Sequence, residues 1–250
     1  MKDKEEIKMD IYKLSATTDR GQRLNKLISP IYQEKLLEIE KLVNELKQAT
    51  CEINEKNLSG DWELIFSNVE LFRSSPFFLA IEKALNNQVK SDLFFKLHQL
   101  QVCSFGLSTI GKISQHLDFE KKELISSFDT IIFGLSTIPI IGWFKLLPTF
   151  GGRVITLANE LSLSDNSLNM TLQKTKVAEV NGLNRIPFLN SILMDKWYPV
   201  NKIWLKLPWN REEPTCNLEI LYLDKEMRIV KDIYGSIFIY IRPNSNELGK

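Results

Sequence analysis

The sequence predicts a mainly β fold (α+β) with N-terminal helices, in which antiparallel strands form a sandwich or a barrel. Two patterns support this: helix-like spacing of apolar residues near the N-terminus, and many short strand-like runs joined by polar turns. A parallel α/β fold is disfavoured because helices do not alternate with the strands. With 250 residues, 44% of them hydrophobic and 25% charged, the chain is long enough to bury a large core.

The N-terminal part is predicted to be helical over residues 5–49. Ser29 precedes Pro30, a pair that opens helices because Ser can cap the first turn and Pro is tolerated at the first helical position. The apolar residues that follow recur at three- and four-residue steps, at Leu36, Ile39, Val43 and Leu46. This spacing predicts an amphipathic helix with one buried face.

The β region begins with a strand predicted from Leu58 to Phe66. A short helix then opens at Ser75-Pro76 and extends to about Asn86. From Leu93 onward strand-like runs dominate. The further strands are predicted near 112–119, 123–133, 153–163, 167–175, 217–223, 227–232 and 235–241. The residues between several of them have turn composition, at 120–122, 164–166 and 224–226.

Charge and motif content argue against several functional classes. The net charge is only +1, so the basic excess typical of nucleic-acid-binding proteins is missing. The three cysteines and two histidines lack metal-ligand spacing, and we expect no metal site. Ser108 and Ser136 each follow Gly-Leu, but the second glycine of a nucleophile elbow is missing. We therefore expect no catalytic residues and no enzyme activity.

An apolar stretch at 131–150 raises the question of a membrane span. A spanning helix needs roughly 20 such residues, but Pro139 and Pro148 would interrupt it. A strand followed by an apolar loop is the preferred interpretation, and no transmembrane helix is expected. Trp favours the membrane–water interface, and Lys145 can extend out of it, so we expect the loop to contact lipid. The lipid-surface candidates are Ile140, Ile141, Trp143 and Phe144. The alternative is burial of this loop against the N-terminal helices.

Several segments resemble those of known protein families. Gly60-Asp61-Trp62 resembles the Gly-x-Trp that opens lipocalin barrels. The segment from Ile113 to Asp118 is similar to one in the plastid lipid-associated proteins, also called plastid fibrillins. The most specific similarity is the stretch from Leu218 to Phe238, and Thr18 to Gly21 resembles the end of the family's N-terminal helix. Taken together, these similarities extend over nearly the whole chain.

The resemblance implies a lipocalin-like antiparallel β-barrel. We accordingly divide the chain into an N-terminal helical segment at 1–57, a barrel domain at 58–242 and a flexible tail at 243–250. The candidates for ligand binding or barrel closure are Trp62, Gln115, Asp118, Tyr222, Arg228 and Phe238. Trp62 is expected to be buried at one barrel end, with the Arg228 guanidinium stacked on it and oriented by Asp224.

The resemblance also implies a location and a cargo. Members of the plastid lipid-associated family associate with thylakoid membranes or plastoglobules, the lipid droplets of photosynthetic cells. This implies the stromal side of a plastid, or the cytoplasm and thylakoid periphery of cyanobacteria. The implied cargo is an isoprenoid, carotenoid, quinone or acyl lipid, and no other cofactor is expected. The expected function is binding, storage or transport of such a molecule, with peripheral contact to lipid. The alternative is a structural coat protein without a cargo.

Overall fold

The computed structural model describes residues 3–22, 30–104, 108–132, 150–181, 196–206 and 212–243. The helices are α1 Lys4–Thr17, α2 Pro30–Lys47, α3 Glu55–Leu58, a 3-10 helix at Leu71–Ser74, α4 Pro76–Leu85, α5 Gln88–Ser104 and α6 Val200–Trp204. The strands are β1 Gly60–Ser67, β2 Ser108–Asp118, β3 Glu123–Ile132, β4 Phe150–Ser164, β5 Ser167–Asn181, β6 Thr215–Leu223, β7 Met227–Lys231 and β8 Ile237–Ile241.

The eight strands form one closed antiparallel barrel. Each strand pairs with the next along the chain, and β8 pairs back with β1, with Tyr240 opposite Leu64. Hydrogen bonding therefore runs around the whole ring of eight strands. The predicted mainly β, antiparallel fold with N-terminal helices is confirmed.

The barrel separates two hydrophobic clusters because side chains alternate between the faces of a strand. Its inner wall is mostly apolar and includes Trp62, Ile113, Leu124, Leu218 and Phe238. The outer face of the β1, β6, β7 and β8 side packs against α1 and α2. The buried residues of this outer cluster include Ile11, Ile39, Phe66, Ile229 and Ile239. The amphipathic N-terminal helices thus cover one side of the barrel and keep its apolar outer face from water.

The segment after α1 joins the helical layer to the barrel. Gly21 has a φ of +85°, and a Cβ built there would lie 2.0 Å from the backbone oxygen of Ser67. Arg20 donates from its two Nη atoms to the carbonyls of Ile110 and Gly111, each at 2.6 Å. The β2–β3 register shifts between Ile110 and Ile113, and the β1–β2 pairing has ended before these carbonyls. Arg20 therefore supplies donors that the ladder does not.

Two sequence predictions, for the run from Leu93 and for Ser75, need correction. The run from Leu93 is not strand-like, because α5 continues to Ser104. Its sequence has no clear apolar stripe, and Phe95 is instead buried in an aromatic group with Phe72 and Phe78. Tertiary packing of rings, which sequence periodicity does not show, therefore stabilises this helix. The other correction concerns Ser75, which precedes α4 as predicted but makes no capping hydrogen bond with its side chain.

The apolar loop lies outside the described residues, and so do the lipid-surface candidates Ile140, Ile141, Trp143 and Phe144. Across the described ranges, no helix combines the length and the apolar character needed to cross a membrane.

Candidate functional site

One barrel end is organised around Trp62 on β1. Its side chain is fully buried, as predicted, and its Nε1 donates to the carbonyl of Leu58 at 2.8 Å. The guanidinium carbon of Arg242 lies 4.2 Å from the indole ring centroid. The same guanidinium donates to the carbonyls of Ser59 and Asn57, at 3.0 and 2.7 Å. Arg242 thereby joins the end of the last strand to the helix and turn that precede the first strand.

Sequence reasoning did not identify Arg242 as a barrel-closing residue. Its position in the sequence could have identified it, because Arg242 directly follows β8, the strand that must pair with β1 if the barrel closes. Arg228, the residue chosen for this role, also contacts the indole but from further away, with its guanidinium carbon 5.0 Å from the ring centroid. Two cationic side chains therefore share Trp62.

Arg228 is fully buried on β7 and directed into the barrel. Its guanidinium carbon lies 4.3 Å from the ring centroid of Tyr240, its register partner on β8. Its Nη2 donates to the Oε1 of Gln115 at 2.6 Å. Burial lowers the pKa of Arg228 to about 10, which leaves the group protonated at neutral pH.

Asp224 does not orient Arg228, and that expectation was wrong. Its carboxylate accepts from the Tyr222 hydroxyl at 2.7 Å and from the backbone N–H groups of Glu226 and Met227. It also forms ion pairs with Lys4 and Lys8 of α1, at 3.1 and 3.2 Å. Burial alone would raise the pKa of Asp224, but these hydrogen bonds outweigh it and hold the pKa well below its usual range.

Tyr222 belongs to this outer network and not to the barrel interior. Its ring is buried in the cluster between the barrel and the N-terminal helices. The β6–β7 register shifts between Ile220 and Tyr222, so strict alternation fails at this point. Ile220 and Leu223 face inward, whereas Leu221 and Tyr222 both pack outward. A bulge of this kind reassigns the face of a side chain and leaves no clear mark in the sequence.

The remaining sequence candidates divide between the two faces. Gln115 and Phe238 are buried inside the barrel with Trp62 and Arg228. Asp118 instead is the last residue of β2, and it accepts from the backbone N–H and the Nζ of Lys121 in the following turn, at 2.9 and 2.7 Å. The structure therefore brings together Trp62, Gln115, Arg228 and Phe238, and separates Asp118 and Tyr222 from them.

A polar row crosses the inner wall beside Arg228. In the strand register, Gln115 on β2 is the partner of Trp62 on β1 and of Ser126 on β3. Ser126 is in turn the partner of Thr156 on β4. All three polar side chains of this row are buried. Gln115 is fixed from both ends, since its Oε1 accepts from Arg228 and its Nε2 donates to the Ser74 carbonyl at 3.2 Å.

Several polar atoms near this row have no partner among the described residues. They are Nε and Nη1 of Arg228, the hydroxyls of Tyr240 and Ser126, and Oγ of Ser75. The Tyr240 hydroxyl is close to Ser74 and Gln115 but forms no hydrogen bond of normal geometry with them. Burial raises the pKa of Tyr240 to about 12, so its hydroxyl keeps its proton. No motif in the sequence indicated Ser126 or Tyr240 as members of this group.

A second buried polar group lies beside α4. Arg73 forms an ion pair with Glu82, both almost completely buried, and Ser91 is within hydrogen-bond distance of the same carboxylate. Burial, together with the neighbouring negative charge of Asp232, raises the pKa of Glu82 to about 7, although Arg73 opposes the shift. In the part of the chain that the structure describes, no group of His, Cys, Asp and Glu is arranged to hold a metal ion.

Fold and interior together define a helix-flanked antiparallel barrel with an apolar inner wall. The sequence model of the PAP_fibrillin family matches residues 5–241, and the chain belongs to this family of plastid lipid-associated proteins. This is a non-enzymatic family of proteins that associate with lipids in plastids. Comparisons with curated proteins and with solved structures gave no match.

Proposed function

We propose that the protein binds a hydrophobic small molecule inside its barrel and stores or carries it at thylakoid or plastoglobule surfaces. The observation that carries this proposal is the closed barrel with an inner wall built largely from apolar side chains. Barrels of about eight strands can enclose one small ligand in this way. Gly60-Asp61-Trp62, with its cation-covered indole, also resembles the segment that opens lipocalin barrels.

The energetics favour an apolar cargo. Removing apolar surface from water contributes about 25 cal/mol for each Å² buried, so a long isoprenoid or acyl chain supplies ample affinity. The protein then needs only a few polar groups to orient the other end of the ligand. The buried polar atoms around Arg228 are suited to that task, because the barrel places them within an otherwise apolar wall.

Native extraction followed by mass spectrometry tests this function. The protein is purified without detergent or solvent from the cells that make it, and its intact mass is measured under non-denaturing conditions. We expect a discrete added mass that disappears after organic extraction and that corresponds to one apolar molecule per chain. A protein that carries no such molecule, and takes up none when isoprenoids, quinones and fatty acids are added, would contradict the proposal.

Two variants sharpen this experiment. Ala158 is fully buried in the inner cluster, so Ala158→Phe adds volume inside the barrel and should reduce the bound molecule severalfold. Leu37 is an exposed apolar residue on α2, so Leu37→Ser should leave ligand content unchanged. Circular dichroism of both variants establishes that the barrel is folded before their ligand contents are compared.

A second candidate function is a coat protein that binds lipid surfaces without a cargo. The observation that favours it is Trp197, a large aromatic residue with 39% of its surface exposed. Lys174 and Lys176 on β5 lie over its ring, with their Nζ atoms 4.8 and 5.2 Å from the centroid. An exposed indole flanked by cations suits the interface of a membrane that contains anionic lipid.

A further inference from the structure

Arg228 is a buried charge that has no counter-ion among the residues that the structure describes. Another cation, Arg242, shares the Trp62 indole with it and lowers the pKa of Arg228 further. No carboxylate from the described residues forms an ion pair with it, and only Nη2 has an acceptor, the amide oxygen of Gln115. Buried charges are ordinarily paired or fully hydrogen-bonded, because an uncompensated one is strongly destabilising.

The unpartnered polar groups of Arg228, of the adjacent Tyr240 and of the polar row beside them can all donate a hydrogen bond. Nε and Nη1 of the guanidinium are donors only, and the hydroxyls of Tyr240 and Ser126 each carry a proton to offer. Gln115 cannot turn to accept from them, since both ends of its amide are already engaged. Within the described ranges, the site therefore lacks an acceptor with negative charge.

The remainder of the inner wall defines the other part of the ligand. Leu64, Leu223, Val230 and Phe238 are buried in the same inner cluster as Trp62 and Tyr240. A single cation within such a wall matches one carboxylate on an apolar body better than a dianionic phosphate. Neutral cargoes such as carotenoids would leave the charge of Arg228 uncompensated.

We propose that Arg228 binds the carboxylate of an apolar acid, such as a long-chain fatty acid, inside the barrel, with the hydroxyls of Tyr240 and Ser126 as further donors. This proposal rests on the proposed function, because it requires the barrel to admit a hydrophobic molecule. It adds that the molecule is an anion and that its charged end lies at the Trp62 end of the barrel.

The first test compares ligands on the unaltered protein. Oleate, its neutral methyl ester and the neutral quinone decylplastoquinone compete with Nile red, an uncharged fluorescent probe. We expect oleate to bind about 10- to 100-fold more tightly than methyl oleate, which is the effect of hydrogen bonds to a charged group. Equal affinity for the acid and its ester, or tighter binding of the quinone, overturns the carboxylate site while leaving the carrier function intact. Binding of none of the three overturns both.

The second test assigns the preference to Arg228. Arg228→Met should abolish the difference in affinity between oleate and methyl oleate, and Arg228→Lys should retain part of the difference. If Arg228→Met does not fold, oleate labelled with ¹³C at its carboxyl is bound to the unaltered protein and titrated by NMR. The proposed ion pair keeps the bound carboxylate ionised below pH 5, whereas a carboxyl that titrates like free oleate overturns the proposal.

Discussion

The guanidinium of Arg242 lies 4.2 Å from the centre of the Trp62 indole and donates to the carbonyls of Ser59 and Asn57. This contact links the two ends of the barrel sequence, since Trp62 is on the first strand and Arg242 directly follows the last. It lies where β1 and β8 pair to close the ring. The contact therefore reinforces the step at which an open sheet becomes a barrel.

We predict that Trp62 and Arg242 are energetically coupled. Unfolding free energies of Trp62→Leu, Arg242→Met and the double variant should give a coupling energy of about 0.5–2 kcal/mol, the range for a cation over an aromatic ring. Arg242→Lys should recover only part of it, because lysine keeps the charge but lacks the planar fork whose two nitrogens reach the two carbonyls. The same cycle between Trp62 and the exposed Lys121 is the control and should give zero. A coupling of zero for Trp62 and Arg242 would contradict the closing role.

Local sequence signals predicted the local features of this fold. Ser75-Pro76 marks the start of α4, and the turn at Asp165 and Asn166 has the positive φ angles that these residues tolerate. The sequence did not reveal which face Tyr222 occupies, because the β6–β7 register shift is a property of paired strands. Arg242 was missed for a related reason: its contact with Trp62 exists only after the ring has closed.

We predict that Gly21→Ala is strongly destabilising. The residue has a positive φ, and the added Cβ would lie 2.0 Å from a backbone oxygen that cannot move independently. Gly235→Ala is the matched control, since Gly235 also has a positive φ but nothing within 4 Å of the added Cβ. The backbone strain alone costs about 1–3 kcal/mol, and we expect the steric clash at Gly21 to add about 1–3 kcal/mol more. Denaturant unfolding of both variants measures the difference, and equal destabilisation would show that the clash relaxes.

We predict that stability falls as pH rises through the titration of Glu82. Its pKa is raised from the ordinary value of 4.5 to about 7, so between these values the folded state holds a proton that the unfolded chain has lost. The unfolding free energy should therefore decrease from pH 4.5 to 7, by on the order of 1–3 kcal/mol. The contribution of Asp224 to the pH dependence of stability has the opposite sign. Its lowered pKa stabilises the folded state at neutral pH, and this stabilisation is lost as the pH falls below 3.8, the ordinary pKa of the group.

The comparison of two variants isolates Glu82 from other titrating groups. Glu82→Gln should flatten the stability profile between pH 4.5 and 7 relative to the unaltered protein. Asp232→Asn removes the neighbouring negative charge and should move the decrease toward lower pH, while its amide oxygen can still accept from Ser236. Urea unfolding at several pH values gives both profiles. A Glu82→Gln profile parallel to that of the unaltered protein would show that Glu82 is ionised throughout.

Our last prediction concerns lipid contact by the apolar loop at 138–147. Trp143 and Phe144 beside Lys145 have the composition of an interfacial anchor, and each aromatic ring inserted into lipid contributes roughly 1.5–3 kcal/mol. We expect the double variant Trp143→Ser/Phe144→Ser to bind vesicles containing phosphatidylglycerol at least about 100-fold more weakly than the unaltered protein in flotation. Leu37→Ser, at an exposed apolar position on α2, is the control and should float normally. Trp197→Ser measures the separate contribution of the indole flanked by Lys174 and Lys176. Unchanged flotation of the double variant would refute the role of the loop, and a loss confined to Trp197→Ser would assign lipid contact to the β5 side of the barrel instead.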